Sequence, residues 1–476
     1  MKTNLSIIRW LMLAALLSFT LDCLGAEATA LTQVQQSWLN KANRHEKAGW
    51  VYVHIEGTPR ERGFQYGYLL AKEIQQGIKA TRTDWEYESA TKWSWLLEKA
   101  SAMFARKIDK ENLAELDGIV EGMQAAGIPS SRAEIIAYNA YWELDWYWWP
   151  EDLKKIKEGK VKIAQQSCSA FIATGSMTAD GGVVLGHNNM QGYWFAPPSV
   201  VIDIVPEKGH RILMQTYPGW IHSGTDFFIT DAGLVGAETT IAYFEGFDPK
   251  GIPEFCRMRR ATQDATNIDQ WCSIMKRGNN GGYANAWLLG DVNTREIARL
   301  ELGLKYVGFE KKRDGYFVGS NVPEDLKILR FETTAHETDI RDSDVARRVR
   351  WKQLMSQYAG RIDVAAGKLF EADHFDTYLG AEHPGERSLC GHWDLESKPI
   401  EPPTEPNLPW GTVDGKVVDT KMAKQMSFSA RWGSACGTAF DAPKYLAEHP
   451  QYEWMKDILQ SRPSEPWTNF VAGEQQ

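Results

Sequence analysis

From Cys168 to about Asn321 the chain alternates short apolar runs with turn residues. SVVIDIV (199–205), GHRILMQTY (209–217), TDFFITDAGLVGAETT (225–240), YANAWLLGD (283–291), EIARLELG (296–303), KYVGFEKK (305–312) and GYFVGSN (315–321) are rich in β-branched and aromatic residues. Turn residues such as Asp314-Gly315 separate them, which predicts a strand-rich region. Upstream, residues 31–150 carry mostly helical spacing. There ENLAELDGIVEGMQAAG (111–127) reads as a surface helix closed by Gly127 and Pro129. One exception is GWVYVHIEG (49–57), a predicted strand ended by Gly57-Thr58-Pro59. Helical spacing returns over 342–371, where Arg347, Arg348 and Arg350 read as a solvated face, and 380–430 reads as a long loop. Trp85, Trp93, Trp95 and Trp142, Trp146, Trp148, Trp149 form two aromatic clusters, better suited to packing helices than to holding a sugar or acyl chain.

The lysine-rich stretch EDLKKIKEGKVKIAQQ (151–166) has few core residues and reads as an exposed linker suited to processing. It leads directly into QQSCSAFIATGSMTADGGVVLGHNN (165–189). A cut between Ser167 and Cys168 would leave one residue carrying both a thiol and a free amine. With a thiol pKa of about 8.5 and an α-amine pKa of about 7.7–8.0, the amine can take the thiol proton near neutral pH, so no separate base is needed. The segment after Cys168 fits two strands joined at Asp180-Gly181-Gly182, and such a hairpin can bring His187 back beside the nucleophile. Taken alone, a single cysteine is more often a buried apolar residue or half of a disulfide.

Composition narrows the setting. Residues 1–28 read as a secretory signal, with Lys2 and Arg9 ahead of WLMLAALLSF and a small-residue site at Ala26-Glu27-Ala28. A secreted or periplasmic protein with no transmembrane span follows, made of a 29–167 chain and a 168–476 catalytic chain. With 53 basic and 62 acidic residues the net charge is −9, which argues against nucleic acid as a partner. If Cys168 is reactive, Cys256, Cys272, Cys390 and Cys436 can form two bridges; Cys256–Cys272 with Cys390–Cys436 is favoured among three connectivities because each pair lies within one segment. No G-x-S-x-G elbow or H-E-x-x-H helix occurs. Asp373, His374, His383 and His392 suit zinc by type, but their spacing matches no compact ligand motif, so neither a metal nor any other cofactor is expected.

Seven blocks in order carry a family resemblance: GTPRERGFQYG (57–67), LAELDGIVEGMQAAG (113–127), CSAFIATG with LGHNN, GLVGAETT (233–240), GGYANAWLLGD (281–291), DHFDTYLGAEHPGERSLCGHWD (373–394) and WGSACGTAFDAPKYL (432–446). Together they resemble the phospholipase B-like branch of the N-terminal-nucleophile hydrolases, related to penicillin acyltransferase-type cysteine peptidases. Met190 stands where the acyltransferase branch usually has an acidic residue, and of the GGYANAW run only Tyr283, Asn285 and Trp287 match the lipase branch. The resemblance implies an α+β four-layer αββα sandwich. It implies Cys168 as nucleophile, His187 as an orienting group and Asn285 as oxyanion donor. Asn188, Glu238, Thr239, Asp373 and His374 are implied as binding or support residues. The expected activity is self-cleavage at Ser167-Cys168, then release of fatty acid from phospholipids with transient contact at a membrane surface. The alternatives are an amidase or acyltransferase on small N-acyl substrates, and a catalytically silent protein holding an apolar ligand.

Overall fold

The computed structural model describes residues 30–151, 168–195, 199–224, 227–399 and 405–475. The expected signal segment, most of the expected linker and Ser167 lie outside the described residues. Two large sheets form the centre. The first has nine strands: β1 (Asn43–Lys47), β2 (Trp50–Gly57), β5 (Val200–Pro206), β6 (Ile212–Thr216), β7 (Phe227–Thr230), β8 (Leu234–Thr240), β9 (Asn285–Asp291), β10 (Glu296–Leu302) and β11 (Val307–Lys312), in that spatial order. The second runs β12 (Gly315–Gly319), β3 (Ser169–Thr174), β4 (Val184–Gly192), β15 (Trp410–Asp419), β16 (Ser427–Trp432) and β17 (Thr468–Val471). A two-stranded hairpin of β13 (Phe375–Asp376) and β14 (Ala381–Glu382) stands apart. The chain passes from the first sheet to the second through Arg313-Asp314, between β11 and β12.

Strand periodicity explains the layering, because side chains along a strand point alternately to opposite faces. On β2, Trp50 and Tyr52 enter the core between the sheets, while Val51, Val53 and Ile55 enter the core under the helices. On β3, Ala170 and Ile172 join the same inter-sheet core, whereas Phe171 and Ala173 meet Trp351, Leu354 and Phe370 from the helices over the second sheet. Strands apolar on both faces must be covered on both faces. The result is helices, sheet, sheet, helices: the expected αββα sandwich. Segments from either side of the linker share one sheet, since β2 pairs in parallel with β5 from Val51↔Val200 to Gly57↔Pro206.

The helix over Lys110–Ala125, N-capped by Asp109, packs closely on the helix Pro59–Leu69. Glycine makes that approach possible: a Cβ at Gly63 would lie 2.0 Å from the Glu115 carbonyl oxygen, and one at Gly118 would lie 2.3 Å from that of Arg60. The tryptophan clusters do pack helices together, with Trp85, Trp95, Trp148 and Trp149 in mutual ring contact. Two expectations are corrected. The reading of 380–430 as a loop missed β15, a strand between β4 and β16 whose Gly411, Asp414, Gly415 and Lys416 look like turn residues but are buried or ladder-forming. Neither expected disulfide is formed: no bridge joins any of the five described cysteines, and Cys256 and Cys272 sit within separate helices, Glu254–Asp264 and Ile268–Lys276.

Candidate active site

Cys168 lies immediately before β3, fully buried, with φ at +74°. A non-glycine residue in this left-handed region carries strain on the order of 1–2 kcal/mol, so its surroundings must hold it there. They do so from one helix. Arg347, wholly buried on the helix Ser343–Gln357, donates from Nη1 to the Cys168 carbonyl oxygen at 2.7 Å and from Nη2 to Asn321 Oδ1 at 2.8 Å. One turn further on, Trp351 Nε1 donates to Ser169 Oγ at 2.7 Å. This overturns the solvated-face reading for Arg347, while Arg348 and Arg350 stay partly exposed. Arg347 shares the helix's apolar stripe with Trp351, Leu354 and Met355 at spacings of four, seven and eight, a pattern present in the sequence.

Register decides which hairpin residue meets the thiol. Ser169 pairs with Asn188 and Ala170 with His187, so the side chain next to Cys168 belongs to Asn189. Its Oδ1 lies 3.8 Å from Cys168 Sγ. Asn189 Nδ2 lies 3.3 Å from the Tyr217 hydroxyl oxygen and 3.4 Å from Asp414 Oδ2. Burial pushes the Tyr217 phenol well above its ordinary range, so it stays protonated. Asp414 pairs with Lys416 two residues along β15, and Lys416 Nζ also donates to Gln215 Oε1 at 2.9 Å. Burial raises the Asp414 carboxyl against the pull of Lys416. An acidic group, Asp414, thus reaches the neighbourhood of the thiol from β15.

The other sequence candidates are spread around this point. His187 shares the inter-sheet face of Asn189 but sits two residues earlier on β4. Burial, then the positive charge of Lys416, holds it well below its ordinary pKa, so its imidazole is neutral. Asn188 points to the opposite face, where its Nδ2 donates to the carbonyls of Glu371 at 2.7 Å and Leu389 at 2.9 Å. Asn285 opens β9 and pairs with Thr240 on β8. Its amide is buried, with neither side-chain atom hydrogen-bonded among the described residues. Thr240 links it to the Cys168 clamp, since Asn321 Nδ2 donates to the Thr240 carbonyl at 2.8 Å and Asn321 Oδ1 is held by Arg347. Tyr283 OH reaches Thr240 Oγ1 at 2.7 Å and stands beside Trp146. Thr239 faces Gly319 across the sheets, while Glu238 lies on the helix-facing side of β8 with Leu234.

Asp373 and His374 are not brought to the thiol. Asp373 forms a two-pronged ion pair with Arg350, at 2.9 and 2.5 Å. His383 turns to Glu396 at 3.3 Å. His374 and His392 instead meet Cys390 and Cys436, a grouping the linear spacing gave no sign of. Among the described residues, no helix is long and apolar enough to cross a membrane.

Similarity to known proteins agrees with the family resemblance of the sequence blocks up to residue 307. A phospholipase B-like 2 protein of Bos taurus is 33% identical over 144 residues, covering 26% of this chain and 24% of its own. The phospholipase B-like protein C of Dictyostelium discoideum is 24% identical over 307 residues, covering 56% and 52%. The matched stretches thus span about half or less of these relatives. Among solved structures, a conjugated bile acid hydrolase from Clostridium perfringens aligns with 10% identity and a TM-score of 0.34, covering 56% of this chain and 89% of its own. The phospholipase B sequence profile matches residues 61–307, more than half of the 476 residues and including both Cys168 and Asn285, and the chain belongs to the phospholipase B family.

Proposed function

We propose that this chain is a self-processing cysteine hydrolase that releases fatty acid from phospholipids. The observation that carries the reading is the state of Cys168: buried, in a left-handed backbone, its carbonyl clamped by Arg347 and its sulfur beside Asn189, directly after a lysine-rich linker. In the first reaction Cys168 Sγ attacks the Ser167 carbonyl carbon. The Ser167–Cys168 amide breaks, its nitrogen takes the thiol proton and becomes the α-amine, and water hydrolyses the resulting thioester to leave a Ser167 carboxylate. Relief of backbone strain at Cys168 favours that break.

In turnover the α-amine takes the thiol proton, the sulfur attacks an acyl ester carbonyl, and the alcohol leaves with that proton. Water then releases the acid. Asn285 supports the tetrahedral oxyanion: among the described residues its buried amide has no competing hydrogen bond, which suits a donor whose partner exists only during reaction. Neutral His187 and the Asn189–Asp414–Lys416 group supply the buried polar groups on the thiol's side of the second sheet. Family membership and the buried rings of Trp146 and Tyr283, with Tyr283 bonded to Thr240 opposite Asn285, favour an apolar acyl chain.

Intact mass under denaturing, reducing conditions tests the reading. The expected result is two chains, the second beginning at Cys168, with Cys168→Ala remaining as one. Cleavage of the alanine variant at the same bond would rule out self-processing. Ester hydrolysis by a wild-type chain that is never cut would rule out the amine as base.

A further inference from the structure

The Cys/His quartet in the C-terminal loops takes no part in the chemistry above. His374 lies just before β13, Cys390 and His392 lie in the loop leading to β15, and Cys436 lies in the turn after β16. One ligand atom from each falls within 4.8 Å of all the others. His392 Nε2 stands 3.6 Å from Cys390 Sγ and 3.4 Å from Cys436 Sγ. For a tetrahedral ion with metal–sulfur bonds of about 2.3 Å and metal–nitrogen bonds of about 2.05 Å, the sulfur–nitrogen edge works out at about 3.6 Å. One nitrogen thus stands at a coordination-shell spacing from both sulfurs.

The surroundings are built for ligands rather than for two apolar thiols. Cys390 and His392 are buried. His374 Nε2 is buried without a hydrogen-bond partner among the described residues. The Thr438 amide donates to Cys436 Sγ at 3.4 Å, and its hydroxyl lies 3.2 Å from the same sulfur, contacts that stabilise a thiolate. Backbone bonds fix the ligand positions: Cys390 N–H to Asp373 O at 3.1 Å, His392 N–H to Gly385 O at 2.9 Å, and His383 N–H to His374 O at 2.9 Å.

We infer that His374, Cys390, His392 and Cys436 form a structural zinc site that clasps loop 373–394 to the turn after β16. Two thiolates and two imidazoles are a closed tetrahedral set with no position left for substrate, which assigns the ion a structural role. The clasped loop matters to the rest of the fold. Leu389, one residue before Cys390, accepts a hydrogen bond from Asn188, and Asn188 pairs with Ser169 beside the thiol. An ion here would hold that wall of the second sheet in place.

The test is metal content of the full chain, purified without chelator or metal-affinity steps and dialysed against a trace of zinc. The expected result is about one zinc per chain, falling to background in His392→Ala and Cys436→Ser. Stripping with a chelator should lower Tm, and zinc should restore it. If a variant fails to fold, the wild-type stoichiometry decides alone, together with thiolate-to-metal charge-transfer bands after cobalt(II) replacement. Zinc at background in wild-type protein with reduced thiols would overturn the inference. So would a Cys390–Cys436 disulfide found by non-reducing peptide mapping, or variants that keep the metal.

Discussion

Cys168 and Cys256 are both buried cysteines, with 0% and 1% of their surface exposed, yet their surroundings differ in kind. Cys256 lies inside a helix, in the core with Phe255 and Met258, and burial pushes its thiol well above the ordinary range. It is a small apolar residue. Cys168 sits at a strand start in a left-handed backbone, with Asn189 beside its sulfur, Arg347 on its carbonyl, and Tyr217 and Asp414 holding Asn189. Burial alone does not mark a reactive cysteine; the polar atoms gathered around it do.

The largest expected effect sets the two cysteines directly against each other. Cys168→Ser should process slowly at best and lose roughly 10³-fold or more in ester turnover, since the hydroxyl is far less acidic than the thiol. Cys256→Ser should be cut and turn over normally. Equal loss in both variants would break the comparison.

Asn285→Ala comes next. Loss of an oxyanion donor costs about 10²–10³-fold in kcat, and by a similar factor for every substrate, because the donor acts on the carbonyl whatever is attached to it. A panel of phospholipids, lysophospholipids and N-acyl amides measures this. Amides cleaved well with phospholipids untouched would move the chain toward amidase chemistry while leaving the nucleophile in place.

Arg347→Lys sharpens the comparison from the side of the clamp. Lysine keeps the charge but cannot reach both the Cys168 carbonyl and Asn321 Oδ1 with one planar fork, so one buried acceptor loses its partner, at about 1–3 kcal/mol. Slower appearance of the cut chain in a mass time course, beyond what a drop in Tm explains, is the expected result. An unchanged rate would mean the clamp is structural only.

The smallest effect concerns pH. Burial raises the folded-state pKa of Cys256, so the folded chain keeps that proton after the unfolded chain has lost it. Its contribution is present below the unfolded thiol pKa, about 8.5, and declines above that value by at most about 1.4 kcal/mol per pH unit. Urea unfolding at pH 8 and pH 10 should show a steeper fall for wild type than for Cys256→Ala. Parallel curves would show that the thiol is not buried as described.

Legibility in the sequence followed the range of the interaction. β2 and the strands after Cys168 are readable because alternation is local, and the hairpin that follows Cys168 is readable because its small residues and turn adjoin one another. Arg347 was missed although its spacing to Trp351 puts it on the buried stripe, because three arginines in four residues read as surface. β15 was missed because buried Asp414 and Lys416 satisfy each other, which composition cannot reveal.

The sequence by itself determined the run of helices, strands and helices, its family resemblance implied the αββα layering, and a lysine-rich stretch set Cys168 apart from the chain before it. The tertiary structure decided the neighbours. The register of the hairpin put Asn189 rather than His187 beside the sulfur, and β15 delivered Asp414 from 225 positions away. It also gathered His374, Cys390, His392 and Cys436 from three separate loops. Register and long-range approach depend on how whole sheets and helices pack, and no local pattern of residues encodes either.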